Sequence, residues 1–442
     1  MRAESPAPRA ALTAVRFLFG GSLSYAIAMT CRGCGREYPI EPTNVCEFCF
    51  GPLEITYDYD GIARNISRES ISQGPQTMWR YDAFLPVRKE DALDMGTGLT
   101  PLLKADNLGK LFGLDNLWIK NDSVNPTFSF KDRPVSVTTS KALEFEFGVL
   151  ACPSTGNLMG AVAAHGAKAG MRTLVFYPAD LEKGKIIGAA IYGPTLIAVD
   201  GTYDQANRLA SELADNYRWA VVNINMRAFY AEGSKSLGYE VAEQLGWRAP
   251  DHCVVPAASG ELHTKIWKGL QEMGDVGLIE APKTEMHLTQ AEGNAPIVQA
   301  FENDWKTVKP VKPNTIAKSL AIGDPASGMF ALEVLRETGG TAVACLEEEV
   351  VEGIKLLAET EGIFTETAGG VVISGLRRLA ESGKIKKDEL TVAFITGNGL
   401  KTQEVVEDLV DPVQTSPDYD DFEKAMNKRG YHNLANPELK VS

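Results

Sequence analysis

Lys131 sits in the run Asn125-Pro-Thr-Phe-Ser-Phe-Lys-Asp-Arg133, with Phe128 and Phe130 as its apolar flanks. Apolar neighbours desolvate an ammonium, lower its pKa and leave a usable fraction of neutral amine, which can condense with an aldehyde to a Schiff base. A lysine without such surroundings is an ordinary solvated charge. Three further segments offer backbone amides to an anion. Ser154-Thr-Gly-Asn157 joins the apolar run 149–152 to a helical pattern over 158–169. A turn of this kind exposes N–H groups at a helix N-terminus, although the same residue types also serve as plain N-caps. Pro256-Ala-Ala-Ser-Gly-Glu-Leu262 follows the apolar run 253–255 with small residues and one glycine, an arrangement able to wrap a phosphate. Thr396-Gly-Asn-Gly-Leu-Lys401 closes the run 391–395 with a hydroxyl and two glycines, at a strand's C-terminal edge where ligands of open α/β sheets gather.

A second group lies near the start. Cys31-Arg-Gly-Cys34 and Cys46-Glu-Phe-Cys49 are two CxxC knuckles separated by 11 residues. Two such turns bring four thiolates to the corners of a tetrahedron, the geometry zinc prefers. Four protein ligands leave no open position for a substrate, so the expectation is a structural clip. Cys152, Cys253 and Cys345 fall inside apolar runs and read as small buried hydrophobes. Seven cysteines in 442 residues argue against a secreted disulfide scaffold.

These groups must be held by a body of two or three lobes, given the length. Short runs rich in β-branched and aromatic residues appear at 117–119, 149–152, 173–177, 195–199, 220–224, 253–255, 341–346 and 391–395. They suit buried parallel strands. Between them, Ala206, Leu209, Ala210 and Leu213, then Leu237, Val241 and Leu245, then Val350, Ile354, Leu357 and Ala358 keep a helical rhythm. The alternation predicts an α/β fold with parallel sheets. A net charge of −14 argues against nucleic-acid wrapping and against docking on an anionic membrane. No segment reaches the length of a transmembrane helix. Residues 1–28 are expected to be a disordered extension, 29–57 a cysteine module and 58–442 the main body, with a smaller lobe at roughly 140–240 inserted in the larger one. The tail after about Asp411 is polar and proline-punctuated.

From Cys31 to about Leu409 the chain resembles the threonine synthases, in the fold type II (tryptophan synthase β-like) branch of pyridoxal-phosphate enzymes. The likeness rests on ordered segments: the cysteine module with Gly51-Pro-Leu-Glu-Ile-Thr-Tyr57, the Lys131 run and Ser154-Thr-Gly-Asn157. It continues through Tyr230-Ala-Glu-Gly-Ser-Lys235, Ala321-Ile-Gly-Asp-Pro-Ala326, Gly362-Ile-Phe-Thr-Glu-Thr-Ala-Gly-Gly370 and Thr396-Gly-Asn-Gly-Leu-Lys401. The resemblance implies two open parallel-sheet lobes plus a small zinc-ribbon-like module. It implies that Lys131 bonds pyridoxal 5′-phosphate, that Asn157 meets its ring oxygen, and that the backbone of Ala258, Ser259, Gly260, Glu261 and Leu262 holds its phosphate. Thr396 would face the pyridine nitrogen. Two departures stand out: Glu261 replaces a small residue beside the phosphate, and Ser236 replaces a more usual threonine.

The implied reaction converts O-phospho-L-homoserine and water to L-threonine and phosphate by γ-elimination and β-addition of water, with Lys131 as general base and acid. Ser154 and Thr155 are expected to hold the substrate carboxylate; Arg227 and Lys235, with Asn225, its phosphate. A cytoplasmic homodimer acting on a small molecule is the expected setting, without nucleic acid or membrane. Two alternatives stay open: β-replacement on phosphoserine in the manner of a cysteate synthase, and a non-catalytic zinc-ribbon adaptor.

Overall fold

The computed structural model describes residues 24–431 apart from Asn44, Thr155, Asp180 and Glu182. Of these, residues 24–401 form one compact unit and 402–431 a second that carries the helix Tyr419–Lys428.

The first unit opens with a small antiparallel sheet in the order β2-β1-β3, formed by β1 (Ala26–Cys31), β2 (Glu37–Tyr38) and β3 (Leu53–Tyr57). Its edge moves the expected module boundary. Ala26 pairs with Tyr57 and Ala28 with Thr56, so these residues are strand rather than extension. Burial of Met29 and Cys31 at alternate positions, with Ala26 buried on the other side of a bulge, is the physical reason. The rest of the expected extension, 1–23, lies outside the described residues.

The main sheet runs β12-β11-β10-β13-β5-β4. It comprises β4 (Leu102–Lys104), β5 (Leu117–Asn121), β10 (His252–Pro256), β11 (Glu285–Ala291), β12 (Ala342–Cys345) and β13 (Thr391–Ile395). All neighbours are parallel except the edge strand β4, which is antiparallel to β5. A second, wholly parallel sheet in the order β8-β7-β6-β9 uses β6 (Val149–Pro153), β7 (Arg172–Pro178), β8 (Thr195–Val199) and β9 (Ala220–Val221). Helices separate the strands of these two sheets, as crossovers between parallel strands require. All eight apolar runs contain strand, although 220–224 keeps only two strand residues before turning into the helix Arg227–Gly233. β11 escaped notice because Glu-Met-His-Leu-Thr-Gln-Ala does not read as a strand, yet His287, Thr289 and Gln290 within it are buried.

Candidate active site

Strands β6, β10 and β13 point their C-terminal ends at one cavity of about 380 Å³. Lys131, Ser154, Asn157, Asn223, Arg227, Tyr230, the 257–262 loop, Glu366 and Thr396 line it. Three helices, Asn157–Ala169, Glu261–Asp275 and Thr367–Glu381, begin at its wall. Their N-terminal N–H groups and dipoles make the cavity receptive to anions.

Lys131 precedes the helix Asp132–Glu144, and its loop is stapled to the turn after β13. Phe130 N donates to Thr396 O at 2.9 Å, Asn398 N to Phe128 O at 3.1 Å, and Ser129 bridges Gly397. The amine Nζ donates to Tyr230 Oη at 2.7 Å and lies 4.6 Å from the centre of the Phe130 ring. Burial pulls its pKa down to about 8, partly opposed by the carboxylates of Glu261 and Glu366. Of the expected apolar flanks only Phe130 is near the amine; Phe128 turns outward through a positive φ of 60° and is half exposed. Tyr230, which sequence reasoning gave no role, takes the second place beside the amine.

The acid and base after the lysine face elsewhere. Asp132 accepts from Thr127 N at 2.7 Å and Thr127 Oγ1 at 2.8 Å, which fixes the lysine loop. Arg133 is buried between Asp122 (2.7 Å) and Glu240, and Lys120 meets the same Glu240 at 2.6 Å.

The 256–262 loop reaches its helix through Gly260 at φ 85°, where a Cβ would stand 2.9 Å from Ala331 Cβ and 3.0 Å from Ser327 O. Only glycine fits this cradle. The side chain of Glu261 turns to Ser327 Oγ and to Arg227, at 3.3 Å. Burial pushes its carboxyl up, but Lys265, Arg227 and the Ser327 hydroxyl outweigh that and hold it below the usual range. The awkward carboxylate is therefore a neutralised member of a cluster, and Ala258, Ser259 and Leu262 complete the same wall.

Asn157 Nδ2 donates to Glu366 Oε1 at 2.7 Å. Thr396 is buried in the wall. Ser154 Oγ accepts from Gly156 N at 3.1 Å and Met159 N at 3.2 Å, capping its own helix at the cavity edge. Thr155 lies outside the described residues. Two expected phosphate ligands are misplaced. Lys235 is wholly buried away from the cavity, held by Glu232 at 2.6 Å and Glu272 at 2.9 Å. Asn225 spends both side-chain atoms on backbone, accepting from Val221 N and donating to Trp219 O. The causes differ: Asn225 is consumed by the turn after β9, whereas Lys235, at the start of the helix Ser236–Gln244, is turned inward onto two acids. Asn223, two residues earlier, lines the cavity instead.

The sulfur atoms of Cys31, Cys34, Cys46 and Cys49 all lie within 4.8 Å of one another, and none is in a disulfide. Four thiols this close, with no internal acid or histidine, fit a closed tetrahedral zinc site. His252, Glu285 and His287 also converge within 4.8 Å. Hydrogen-bond directions account for that group without an ion. Thr341 N donates to His287 Nδ1 at 3.0 Å, so a neutral His287 carries its proton on Nε2, facing His252 Nδ1 at 3.0 Å. His252 Nε2 then donates to Glu389 at 2.9 Å.

Residues 93–397 match the family model described as pyridoxal-phosphate dependent enzyme, and residues 30–54 match one described as NinF protein. The chain is 39% identical over 376 residues to a threonine synthase of Methanocaldococcus jannaschii, spanning 84% of this chain and 92% of that protein. It is 36% identical over 385 residues to one of Methanosarcina acetivorans, spanning 86% and 94%. Among solved structures, diaminopropionate ammonia lyase from Escherichia coli, in complex with an aminoacrylate-PLP azomethine intermediate, aligns at a TM-score of 0.63. The two share 18% identity over 78% of this chain and 93% of that one. Threonine deaminase isoform 2 from Solanum lycopersicum aligns at 0.59 and 22% identity over 71% and 88%. These two likenesses establish a common fold.

Proposed function

Because this chain belongs to the pyridoxal-phosphate-dependent enzymes, within the threonine synthase family, we propose that it converts O-phospho-L-homoserine and water to L-threonine and phosphate in the cavity at Lys131. The observation that carries the proposal is the half-buried Lys131 amine, held at 2.7 Å by Tyr230 Oη. It is supported by the glycine cradle at Gly260 and by the three helix N-termini around the same space.

Lys131 would bond the cofactor, the 258–262 amides would hold its phosphate, Asn157 its ring oxygen, and Thr396 its ring nitrogen. When bound there, pyridoxal 5′-phosphate supplies an aldehyde and a conjugated ring that takes up electron density from the substrate α-carbon. Everything else falls to the protein. The Lys131 Nζ, poised near pH 8, removes the α-proton and can return a proton further along the substrate chain. Tyr230 Oη fixes where that nitrogen stands between transfers. The amides of the 154–157 turn suit the substrate carboxylate. Arg227 offers a guanidinium to its phosphate, with Asn223 replacing Asn225 as a neutral donor. Ser327 keeps Glu261 occupied, which limits repulsion of the incoming dianion.

The cysteine module is proposed to hold a structural zinc ion, and the enzyme to be a cytoplasmic homodimer. Among the described residues no helix is long and apolar enough to cross a membrane. The test of the reaction is phosphate release from O-phosphohomoserine with threonine identified as co-product. The Lys131→Ala variant should lose both turnover and the cofactor's visible absorbance. Undiminished turnover in that variant would end the proposal.

A further inference from the structure

Glu366 has no part in the reaction as proposed, yet its carboxylate is buried in the wall of the same cavity. It stands at the N-cap of the helix Thr367–Glu381 without a side-chain bond to that helix. Oε1 accepts from Asn157 Nδ2 at 2.7 Å, and among the described residues Oε2 has no hydrogen-bond partner. The backbone fixes the carboxylate closely. Glu366 N donates to Gly397 O at 3.1 Å, and Thr365 Oγ1 donates to the same carbonyl at 3.0 Å. Gly397 is the floor under the pair: a Cβ there would collide with Glu366 Oε1 and lie 3.2 Å from Asn157 Nδ2.

An asparagine amide offers two N–H donors at one end and an acceptor at the other, and the two ends have nearly the same shape. Burial alone does not choose between them, whereas an ionised carboxylate only accepts. Opposite Glu366, the nitrogen end of Asn157 must face the carboxylate, which leaves the second N–H for the cavity. An anionic ring oxygen needs that donor; the flipped amide would present a carbonyl and repel it.

We propose that Glu366 is a positioning residue, whose carboxylate holds the Asn157 amide with an N–H, and not its carbonyl, toward the ring oxygen of pyridoxal phosphate. The inference rests on the reading of the cavity as that cofactor's site. Burial pushes the Glu366 carboxyl above its usual range, opposed by Lys401, Lys185 and the Asn157 hydrogen bond, which favour the charged form.

The experiment is a pH titration of the cofactor's visible band in the holoenzyme, with Glu366→Ala, Glu366→Gln, Asn157→Ala and the Glu366→Ala/Asn157→Ala double variant. Loss of the donor leaves the ring oxygen more basic, so Glu366→Ala should move the midpoint upward by about one pH unit, the scale of one charge-assisted hydrogen bond. Asn157→Ala should shift it by a similar amount, and the double variant no further than Asn157→Ala alone. Glu366→Gln keeps the shape but adds an amide donor that accommodates the flipped Asn157 as well, so it should shift the midpoint in the same direction as alanine and by a smaller amount. This variant also decides the matter if the alanine form does not fold. A wild-type midpoint in Glu366→Ala, a wild-type midpoint in Glu366→Gln, or additive shifts in the double variant would overturn the inference. A wild-type chain that takes up no cofactor would instead overturn the reading of the cavity.

Discussion

The reactivity of Lys131 follows from what is packed around one nitrogen. With a pKa of about 8, roughly half of its amine is neutral at pH 8, against about 0.4% for an ordinary lysine of pKa ~10.4. The sign is fixed by the cause, since burial penalises the ammonium and so favours the nucleophile. Cofactor uptake by the cofactor-free chain, followed by visible absorbance, should therefore rise with pH and level off above a midpoint near 8. A midpoint close to 10 would mean the amine is solvated. Tyr230→Phe removes the 2.7 Å partner while keeping the ring. It should lower kcat several-fold, the effect of losing one bond of about 1 kcal/mol, with cofactor retained; an unchanged kcat would leave the hydroxyl without a role. Lys131 could be found in the sequence because apolar neighbours and a chemical task coincide there. Lys235, expected as a ligand of the substrate phosphate, is instead enclosed by Glu232 and Glu272, acids 3 and 37 residues away. Local spacing shows Glu232 but carries no trace of Glu272, and Tyr230 was missed for the same reason, since its bond to Lys131 spans 99 residues.

At the scale of elements, the strands were legible because buried parallel strands need unbroken apolar runs, and the pairing of β5 with β13 links two such runs. β4 and β11 were not. The first is a three-residue edge, and the second buries His287 and Gln290 in hydrogen bonds that only the folded neighbours supply. The same blindness hid the network that locks the lysine helix to the rest of the body. Arg133, one turn from the cavity, joins Asp122 to Glu240, and Glu240 also takes Lys120. All four side chains are buried. Removing Glu240 strands Lys120 and leaves Arg133 with Asp122 alone in a dry interior. Glu240→Ala should therefore cost about 3–5 kcal/mol in urea unfolding, far above the usual single substitution; a loss under about 1 kcal/mol would show that water reaches the network. Gly260→Ala acts differently. Its Cβ meets Ala331 and Ser327 at a positive φ, so the phosphate loop must shift. Cofactor affinity should fall at least tenfold by equilibrium titration while the urea midpoint moves much less.

Across the whole first unit, the cysteine module is more than an appendage. Its third strand sends Glu54 to Lys265 at 2.7 Å and Tyr57 Oη to Glu232 at 2.8 Å. Lys265 belongs to the helix that starts at Glu261, and Glu232 to the one that carries Arg227 and Tyr230. The four-sulfur cluster is thus one residue from Arg32, which lies 3.2 Å from Glu54. A zinc ion there would hold both knuckles, and with them the strand that seats these two helices. Removing the metal by chelation, or replacing Cys34 by serine, should lower the thermal midpoint by about 5 °C or more, given ~2–4 °C per kcal/mol for a body of this size or somewhat smaller. The same change should raise KM for the phosphorylated substrate more than it lowers kcat, because Arg227 and Glu261 are loosened while the stapled Lys131 loop is not. Calorimetry and steady-state kinetics on one preparation, before and after chelation, measure both effects. A metal-free protein with its melting temperature and KM intact would show that the module folds beside the active site without supporting it. A fall in kcat alone would place its influence on Tyr230, which shares the helix of Glu232, or on the lysine loop.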